Sequence, residues 1–388
     1  LTGANTYSGA TTISNGVLQV GSGGASGSLG TGAIVDNGAL AINRSDSYTL
    51  ANAISGSGSF AQAGLGTTVL TGANSYAGAT TISSGVLQIG AGGTSGTLGS
   101  GAVLNNGALA VNRSDTVTLA NAVSGSGALT QAGTGTTVLT GANSYSGATT
   151  ITSGTLQIGS GGTSGSLGSG AVVNNGLLAV NRSDTVTLAN AVSGSGGLTQ
   201  KGSGTTVLTG ANSYSGTTTI SSGTLQVGAG GASGSLGSGA VVNNGALAIN
   251  RSDALTLANA ISGSGSLAQA GSGTTVLTGA NSYSGTTTIS NGTLQIGSGG
   301  TSGTLGSGAV VNNGALAINR SDALTVANVI SGSGSLTQAG SGTTVLTGAN
   351  SYSGTTTISS GTLQVGAGGT TGSLGSGAVV NNGSLVFN

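Results

Sequence analysis

The chain is a tandem array, and this repetition limits its possible folds more than any other feature. The segment LTGAN recurs with a 69-residue period, at Leu1, Leu70, Leu139, Leu208, Leu277 and Leu346. The complete copies are residues 1–69, 70–138, 139–207, 208–276 and 277–345, and a partial copy covers residues 346–388. Short repeats bury their apolar faces only against their neighbours. We therefore expect one continuous domain over residues 1–388 rather than several globular domains.

A shorter period lies inside each copy. Turn glycines preceded by Asn or Ser occur at Gly16, Gly38, Gly58 and Gly85, which defines successive 22-residue, 20-residue and 27-residue intervals. A large apolar residue follows two positions after every such glycine, and these residues are Leu18, Leu40, Phe60, Leu87, Leu109, Leu129, Leu156, Leu178, Leu198, Leu225, Leu247, Leu267, Leu294, Leu316, Leu336, Leu363 and Leu385. We predict that they form an inward-facing stack, with one member in each coil of the chain.

The residues around these leucines alternate as strand residues do. In GVLQVG, Leu18 and Val20 share one face while Val17 and Gln19 share the other. A hairpin meander would not require such regular coil lengths, whereas a parallel β-helix would. The sequence therefore predicts an all-β fold, a right-handed parallel β-helix of about 17 coils, with three coils of 22, 20 and 27 residues in each 69-residue copy.

Composition excludes several classes of function. The sequence has 6 basic and 6 acidic residues, a formal charge of zero, and no His, Cys, Met, Trp or Pro. Zero net charge gives no electrostatic basis for binding nucleic acid, and without His or Cys no catalytic triad, disulfide or thiolate metal site can form. The glycine-rich stretch GSGGASGSLGTG lacks the Lys of a phosphate loop and the Asp of a calcium-binding repeat. We expect a protein that is not an enzyme and that uses no metal or cofactor.

Almost all of the charge lies in one recurring tetrapeptide, NRSD. Only Asp36 and Lys201 lie outside it. Because NRSD follows the ALAIN strand, we expect a solvated turn in which the Arg and Asp pair with each other. A second interpretation remains open, in which these charges contact a ligand along one edge of the fold. The candidates for such contact are Arg113, Asp115, Arg182 and Asp184.

A tyrosine recurs in the segment GANSYSG and also has two interpretations. Its ring can pack across a coil and fix an irregular loop, or it can stack on a sugar at the surface. The tyrosines concerned are Tyr76, Tyr145, Tyr214, Tyr283 and Tyr352. The threonine-rich TTTIS segment could form a flat array that binds ice, but its counterpart in the next coil is GAVVN, which interrupts the array.

One segment resembles a known family. Residues 202–228, GSGTTVLTGANSYSGTTTISSGTLQVG, are similar to the autotransporter-associated β-strand repeat of bacterial type V secretion passenger domains. The resemblance implies a β-helical stalk at the outer-membrane surface, exported by a C-terminal β-barrel that this sequence does not include. Thr68 departs from the family pattern, which often has Leu at this position. This departure predicts that the coil of Thr68 is less completely packed.

These observations predict a structural and adhesive stalk or fibre segment of an extracellular bacterial protein. Its expected partners are further copies of itself, through lateral or end-to-end contact, or glycans at a cell surface. Such a stalk would support display, cell aggregation or biofilm. The alternatives are a glycan-binding module that uses the tyrosine edge and, more remotely, an ice-binding protein. We expect no nucleic-acid partner, and membrane attachment only through the barrel.

Overall fold

A computed structural model describes all 388 residues and contains β-strands but no helix. The chain divides into two compact units, the first formed by residues 1–182 and 190–196 and the second by residues 183–189 and 197–388. In each unit the strands run parallel and stack on one another, which confirms the predicted parallel β-solenoid. The continuity of a single domain over the whole chain stays a prediction.

The strands are short because each crosses only one side of a turn of the solenoid. In chain order they are β1 (Thr11–Ile13), β2 (Val17–Val20), β3 (Ile34–Asp36), β4 (Ala39–Ile42), β5 (Ser47–Leu50), β6 (Ile54–Ser55), β7 (Ser59–Gln62), β8 (Thr67–Leu70), β9 (Thr80–Ile82), β10 (Val86–Ile89), β11 (Val103–Asn105), β12 (Ala108–Val111), β13 (Thr116–Leu119), β14 (Val123–Ser124), β15 (Ala128–Gln131), β16 (Thr136–Leu139), β17 (Thr149–Ile151), β18 (Thr155–Ile158), β19 (Val172–Asn174), β20 (Leu177–Val180), β21 (Thr185–Leu188), β22 (Val192–Ser193), β23 (Gly197–Gln200), β24 (Thr205–Leu208), β25 (Thr218–Ile220), β26 (Thr224–Val227), β27 (Val241–Asn243), β28 (Ala246–Ile249), β29 (Ala254–Leu257), β30 (Ile261–Ser262), β31 (Ser266–Gln269), β32 (Thr274–Leu277), β33 (Thr287–Ile289), β34 (Thr293–Ile296), β35 (Val310–Asn312), β36 (Ala315–Ile318), β37 (Leu324–Val326), β38 (Ile330–Ser331), β39 (Ser335–Gln338), β40 (Thr343–Leu346), β41 (Thr356–Ile358), β42 (Thr362–Val365), β43 (Val379–Asn381) and β44 (Ser384–Phe387).

Each unit contains several parallel sheets. In the first unit the strand orders are β1-β3-β6, β14-β11-β9-β7-β4-β2, β22-β19-β17-β15-β12-β10-β8-β5 and β13-β16-β18-β20. In the second unit they are β23-β25-β27-β30, β21-β24-β26-β28-β31-β33-β35-β38, β29-β32-β34-β36-β39-β41-β43 and β37-β40-β42-β44. Neighbours in a sheet are two or three strands apart along the chain, as expected when each turn contributes one strand to each sheet.

The predicted coil lengths need correction. Phe60 pairs with Thr80, which closes a 20-residue turn, and not with Leu87, as the predicted 27-residue coil requires. Leu87 instead pairs with Thr68, which closes a 19-residue turn. The longest turns are 23-residue turns, such as the one from Thr149 to Val172. The solenoid therefore has about 19 turns rather than 17, and it contains no 27-residue turn.

As a result, the 69-residue copy does not contain a whole number of turns. Three turns carry the chain from Leu18 through Leu40 and Phe60 to Thr80, and seven more residues are needed to reach Leu87. One copy is thus three turns and about one third of another. Leu18, Leu40 and Phe60 lie in the sheet that contains β2, whereas Leu87 and Leu109 lie in the sheet that contains β5.

The interior is built mainly from the second and fourth residues of the four-residue strands and from the first and third residues of the three-residue strands. In β10 these are Leu87 and Ile89, which are both 0 % exposed. Most of the predicted stack is buried, and its two partly exposed members are Leu18 and Leu385. The stack is not an unbroken column of leucines, because Thr80, Val103 and Val123 continue it above Phe60.

Threonines are accepted in the interior because their hydroxyls have partners. The buried Thr68 hydroxyl donates to Gln62 Oε1 over 2.5 Å, and the Gln62 amide donates to Gly64 O over 2.8 Å. Thr68 was predicted to leave its coil less completely packed, but it is 1 % exposed. The hydrogen bond, rather than apolar bulk, stabilises this position.

Candidate interaction surface

The NRSD segments form turns in which the guanidinium is largely buried. Arg113 is 8 % exposed, while the Asp115 side chain is 37 % exposed. Nε of Arg113 donates to Asp115 Oδ1 over 2.8 Å, and Nη2 donates to Oδ2 over 2.6 Å. The hydrogen bond from Arg113 holds the pKa of Asp115 below its usual range. The pair was predicted, but the burial of the arginine was not.

The glycine-rich loop lies against this arginine. Nη1 of Arg113 donates to Gly96 O, and Arg182 makes the same bond to Gly165 O. Gly90, Gly92 and Gly96 have φ angles of 80°, 91° and 95°, a region that favours glycine. The loop and the NRSD turn are therefore one structural element. The sequence gives one sign of this association, since the glycine-rich loop and the NRSD turn each occur once in every complete copy.

The tyrosine row lies in the interior, which overturns the surface-contact prediction for it. Tyr76, Tyr145, Tyr214, Tyr283 and Tyr352 are each 0 % exposed. The Tyr76 hydroxyl hydrogen-bonds to the Thr80 hydroxyl at 2.8 Å, and burial raises its pKa to about 12. Gly99 faces the ring so closely that a Cβ there would lie 2.4 Å from it. A shielded ring cannot stack on a sugar, so the structure supports the packing interpretation.

A second interior feature was missed by sequence reasoning. Asn105, Asn243 and Asn312 are 0 % exposed, and the amide of each donates to a backbone carbonyl 23 residues further on, over 2.7–2.8 Å. Asp36 occupies the equivalent position in the first copy and is also 0 % exposed. Its Oδ1 accepts a hydrogen bond from Gly38 N over 3.0 Å, while its Oδ2 has no partner. Desolvation raises the pKa of Asp36.

The outer surface of the sheets is flat and uncharged. In the sheet of β5 the outward positions of successive strands include Ala110, Thr130, Thr150, Val173 and Ser193, which we call the outer ladder. None of the eight strands of this sheet contains a charged residue. The second unit repeats the arrangement at Ala248, Ala268, Thr288, Val311 and Ser331.

The structure brings together no group of three or more acidic, His or Cys side chains that could hold a metal ion. It also has no helix with the length and hydropathy of a membrane span. Shallow clefts occur beside Arg182 and Arg251, where the glycine-rich loop meets the segment that precedes the buried tyrosine.

The fold is thus a repetitive parallel solenoid with buried tyrosines, and comparison with known proteins shows which repeats are similar to it. Six segments match the family model described as Passenger-associated-transport-repeat, and these are residues 1–20, 60–89, 129–158, 198–227, 267–296 and 336–365. The match confirms the resemblance to autotransporter passenger repeats. In the second segment it spans Gln62, Thr68 and Tyr76, which form part of the polar and aromatic interior.

One curated relative is the Adhesin BmaC autotransporter of Brucella suis biovar 1 (strain 1330). It is 47 % identical to this chain over 58 residues. The matched segment covers 15 % of this chain and 2 % of that protein, so the similarity concerns one part of a much longer molecule.

Proposed function

We propose that this chain is a structural and adhesive segment of a secreted bacterial surface protein, and that copies of it associate side by side through their sheet faces. The matches to passenger repeats and to an autotransporter adhesin support export and surface display. The regular solenoid and the matches to passenger repeats and to an adhesin support a role that is structural rather than enzymatic.

The uncharged outer ladder is the observation that carries this proposal. It presents Thr130, Thr150, Val173 and Ser193 at the strand spacing, with Val173 39 % exposed, whereas Ala110 is only 8 % exposed. Small side chains let two sheets approach closely, and hydroxyls can hydrogen-bond across the contact. Exposed apolar residues occur at the equivalent position in other copies, including Leu104 at 45 % exposure.

Electrostatics also favour association. In four NRSD turns the arginine pairs with the acid two residues later, as in the bonds of 2.7 Å that join Arg251 to Asp253 and Arg320 to Asp322. A surface with a net charge of zero has little long-range repulsion to keep two molecules apart. Association through such faces should therefore depend weakly on salt.

The test is to place one Lys in the middle of the exposed face in each complete copy. The substituted residues are Val35, Leu104, Val173, Val242 and Val311. A matched control places the same number of Lys residues in the exposed middle of the NRSD turns, at Ser45, Ser114, Ser183, Ser252 and Ser321. Sedimentation velocity of the purified chain, and clumping of cells that display it, measure association.

We expect the parent and the turn variant to associate, and the face variant to remain dispersed, most clearly at low salt. Because both variants gain the same charge, an equal effect of the two would mean that net charge alone controls association. Association of the face variant at the level of the parent would exclude contact through the sheet faces.

A further inference from the structure

A cleft recurs at one position of the repeat. In the fourth copy it is lined by Thr209, Ala211, Ser233 and Arg251 and has a volume of about 240 Å³. The equivalent cleft in the third copy is lined by Thr140, Ala142, Ser164 and Arg182 and has a volume of about 360 Å³. A further cleft, beside Thr347 and Ala349 in the sixth copy, has a volume of about 290 Å³.

The arginine in the fourth copy has unused hydrogen-bond donors. A guanidinium carries five N–H groups. In Arg251, Nε and Nη2 donate to Asp253, over 2.9 and 2.7 Å, and Nη1 donates to Gly234 O. Two N–H groups therefore remain without a protein partner. The side chain is only 11 % exposed, so its position at the cleft is fixed by packing and by the Asp253 pair.

The electrostatics of the cleft favour a neutral ligand. The Asp253 side chain is 41 % exposed, and the hydrogen bond from Arg251 keeps its pKa below the usual range, so it is ionised at neutral pH. A carboxylate or phosphate ligand near Arg251 would meet this negative charge. A hydroxyl oxygen can accept from the free N–H groups without that repulsion.

In the fourth copy the cleft continues into a groove with an apolar floor. The groove has a volume of about 330 Å³ and shares Ser235 with the cleft. Leu236, Leu255 and Leu257 line its floor, and Thr256 stands at its exposed edge. An apolar surface beside directed donors and hydroxyls complements the C–H face and the hydroxyl edge of a sugar ring.

We propose that these clefts bind neutral oligosaccharides, with sugar hydroxyls exchanging hydrogen bonds with the cleft threonine and serine and, in the fourth copy, accepting from the two remaining N–H groups of Arg251. The site is distinct from the buried tyrosines and from the outer ladder. If sugar binding at the clefts failed, the proposed lateral association would be unaffected. That association uses other residues and is measured in a different assay.

The experiment measures saturation-transfer NMR signals from maltohexaose, cellohexaose and mannohexaose, with trigalacturonate as an anionic probe, on the full chain. We expect saturation transfer from at least one neutral hexasaccharide, changed less than about twofold between low and high salt because no ion pair forms. Absence of transfer from all three neutral probes overturns the proposal. Transfer from trigalacturonate alone, lost at high salt, also overturns it.

A variant that fills the clefts locates the binding. It carries Leu at the exposed cleft alanines Ala142, Ala211 and Ala349 and at the equivalent exposed alanines of the other copies, Ala4, Ala73 and Ala280. The matched control carries Leu at six exposed alanines in the same copies, namely Ala33, Ala102, Ala171, Ala240, Ala309 and Ala378. We expect the cleft variant to weaken binding at least about tenfold and the control to keep it within about twofold. Equal loss in both variants would place the sugar elsewhere.

A more conservative variant tests the same clefts in case the Leu variant does not fold. Replacing Thr209 and its equivalents by Val keeps the side-chain shape and removes only the hydroxyl that lines the cleft. Far-UV circular dichroism and thermal melting should match the parent. Weaker binding in this folded variant supports the cleft, and unchanged binding in both the Val and the Leu variants refutes it.

Discussion

Replacing Asp36 by Asn should stabilise the fold at neutral pH, because Asn is the residue that this interior position accepts in the other copies. Asn105 donates its amide to Ala128 O over 2.8 Å, and Asn243 donates to Ser266 O over 2.7 Å. An ionised Asp36 has no proton to donate to the equivalent carbonyl, and its Oδ2 has no partner. The side chain is 0 % exposed, so water does not compensate.

The magnitude follows from the charge on the unpaired buried oxygen, because the amides of Asn105, Asn243 and Asn312 also leave Oδ1 without a partner but carry no charge. Leaving such a group unpaired costs about 1–3 kcal/mol, and more when it is charged. We therefore expect Asp36→Asn to raise the local free energy of opening by about 1–3 kcal/mol at pH 7. In hydrogen exchange, this difference slows the Gly38 and Gly58 amides about five- to hundredfold.

The pH dependence of this gain has a definite sign. Desolvation raises the pKa of Asp36 above its usual value of 3.8, so the folded state binds the proton more tightly than the unfolded chain. The stability of the protonated form is fully present below that value and is lost as the pH rises through the folded pKa. The gain from Asp36→Asn should therefore be smallest below that value and should grow as the pH rises through the raised pKa of Asp36.

The acids of the NRSD turns titrate with the opposite sign. The hydrogen bond from arginine lowers the pKa of Asp46, Asp115, Asp253 and Asp322, and the contribution of these four acids is lost as the pH falls. Parent and variant share these groups, so the difference between the two proteins isolates Asp36. The reverse change, Asn105→Asp, should destabilise β11 at pH 7 and serves as the internal control. A gain that does not change with pH, or a loss on Asp36→Asn, would refute the reasoning.

Three further outcomes are expected. Leu198→Asp places an unpaired carboxylate at a position that is 1 % exposed, and should cost several kcal/mol and open the adjacent turns to proteases; unchanged protease resistance would contradict an interior position. Tyr214→Phe removes the hydroxyl bonded to Thr218 at 2.8 Å, and this should lower the free energy of unfolding, measured with denaturant, by about 1 kcal/mol. Gly237→Ala should lower it further, because the new Cβ would lie 2.2 Å from Tyr214 O. Thermal melting with and without a chelator should coincide, and a fall of many degrees with the chelator would reveal a bound ion.

The leucine pattern was sufficient to predict parallel stacking but not the turn length. Every Leu two residues after a turn glycine marks a strand, yet the strands of Thr68 and Thr80 carry no such mark although they also stack in the interior. Hydropathy does not identify a buried threonine, because its burial depends on a partner such as Gln62 that lies in another strand. The 27-residue coil was predicted because the strands of Thr68 and Thr80 could not be recognised in the sequence.

The polar interior could not be derived from the sequence for the same reason. Tyr76 and Asn105 are residue types found both inside and outside proteins, and only their partners, Thr80 and Ala128 O, determine their positions. For the arginine turns, spacing predicted the pair with the acid two residues later. It did not predict the bond from Arg113 to Gly96 O, which crosses 17 residues of chain and buries the guanidinium.

The extra third of a turn in each copy has a consequence for the proposed association. In the first unit the equivalent residues Val35, Leu104 and Val173 lie in three different sheets, those of β3, β11 and β19. A repeat with a whole number of turns would place all three in one sheet and produce a single adhesive face, which two molecules could saturate by pairing. Because the feature moves to another sheet in each copy, association through it is not limited to one face. On the proposed function, the contact therefore favours growth into bundles over closed dimers.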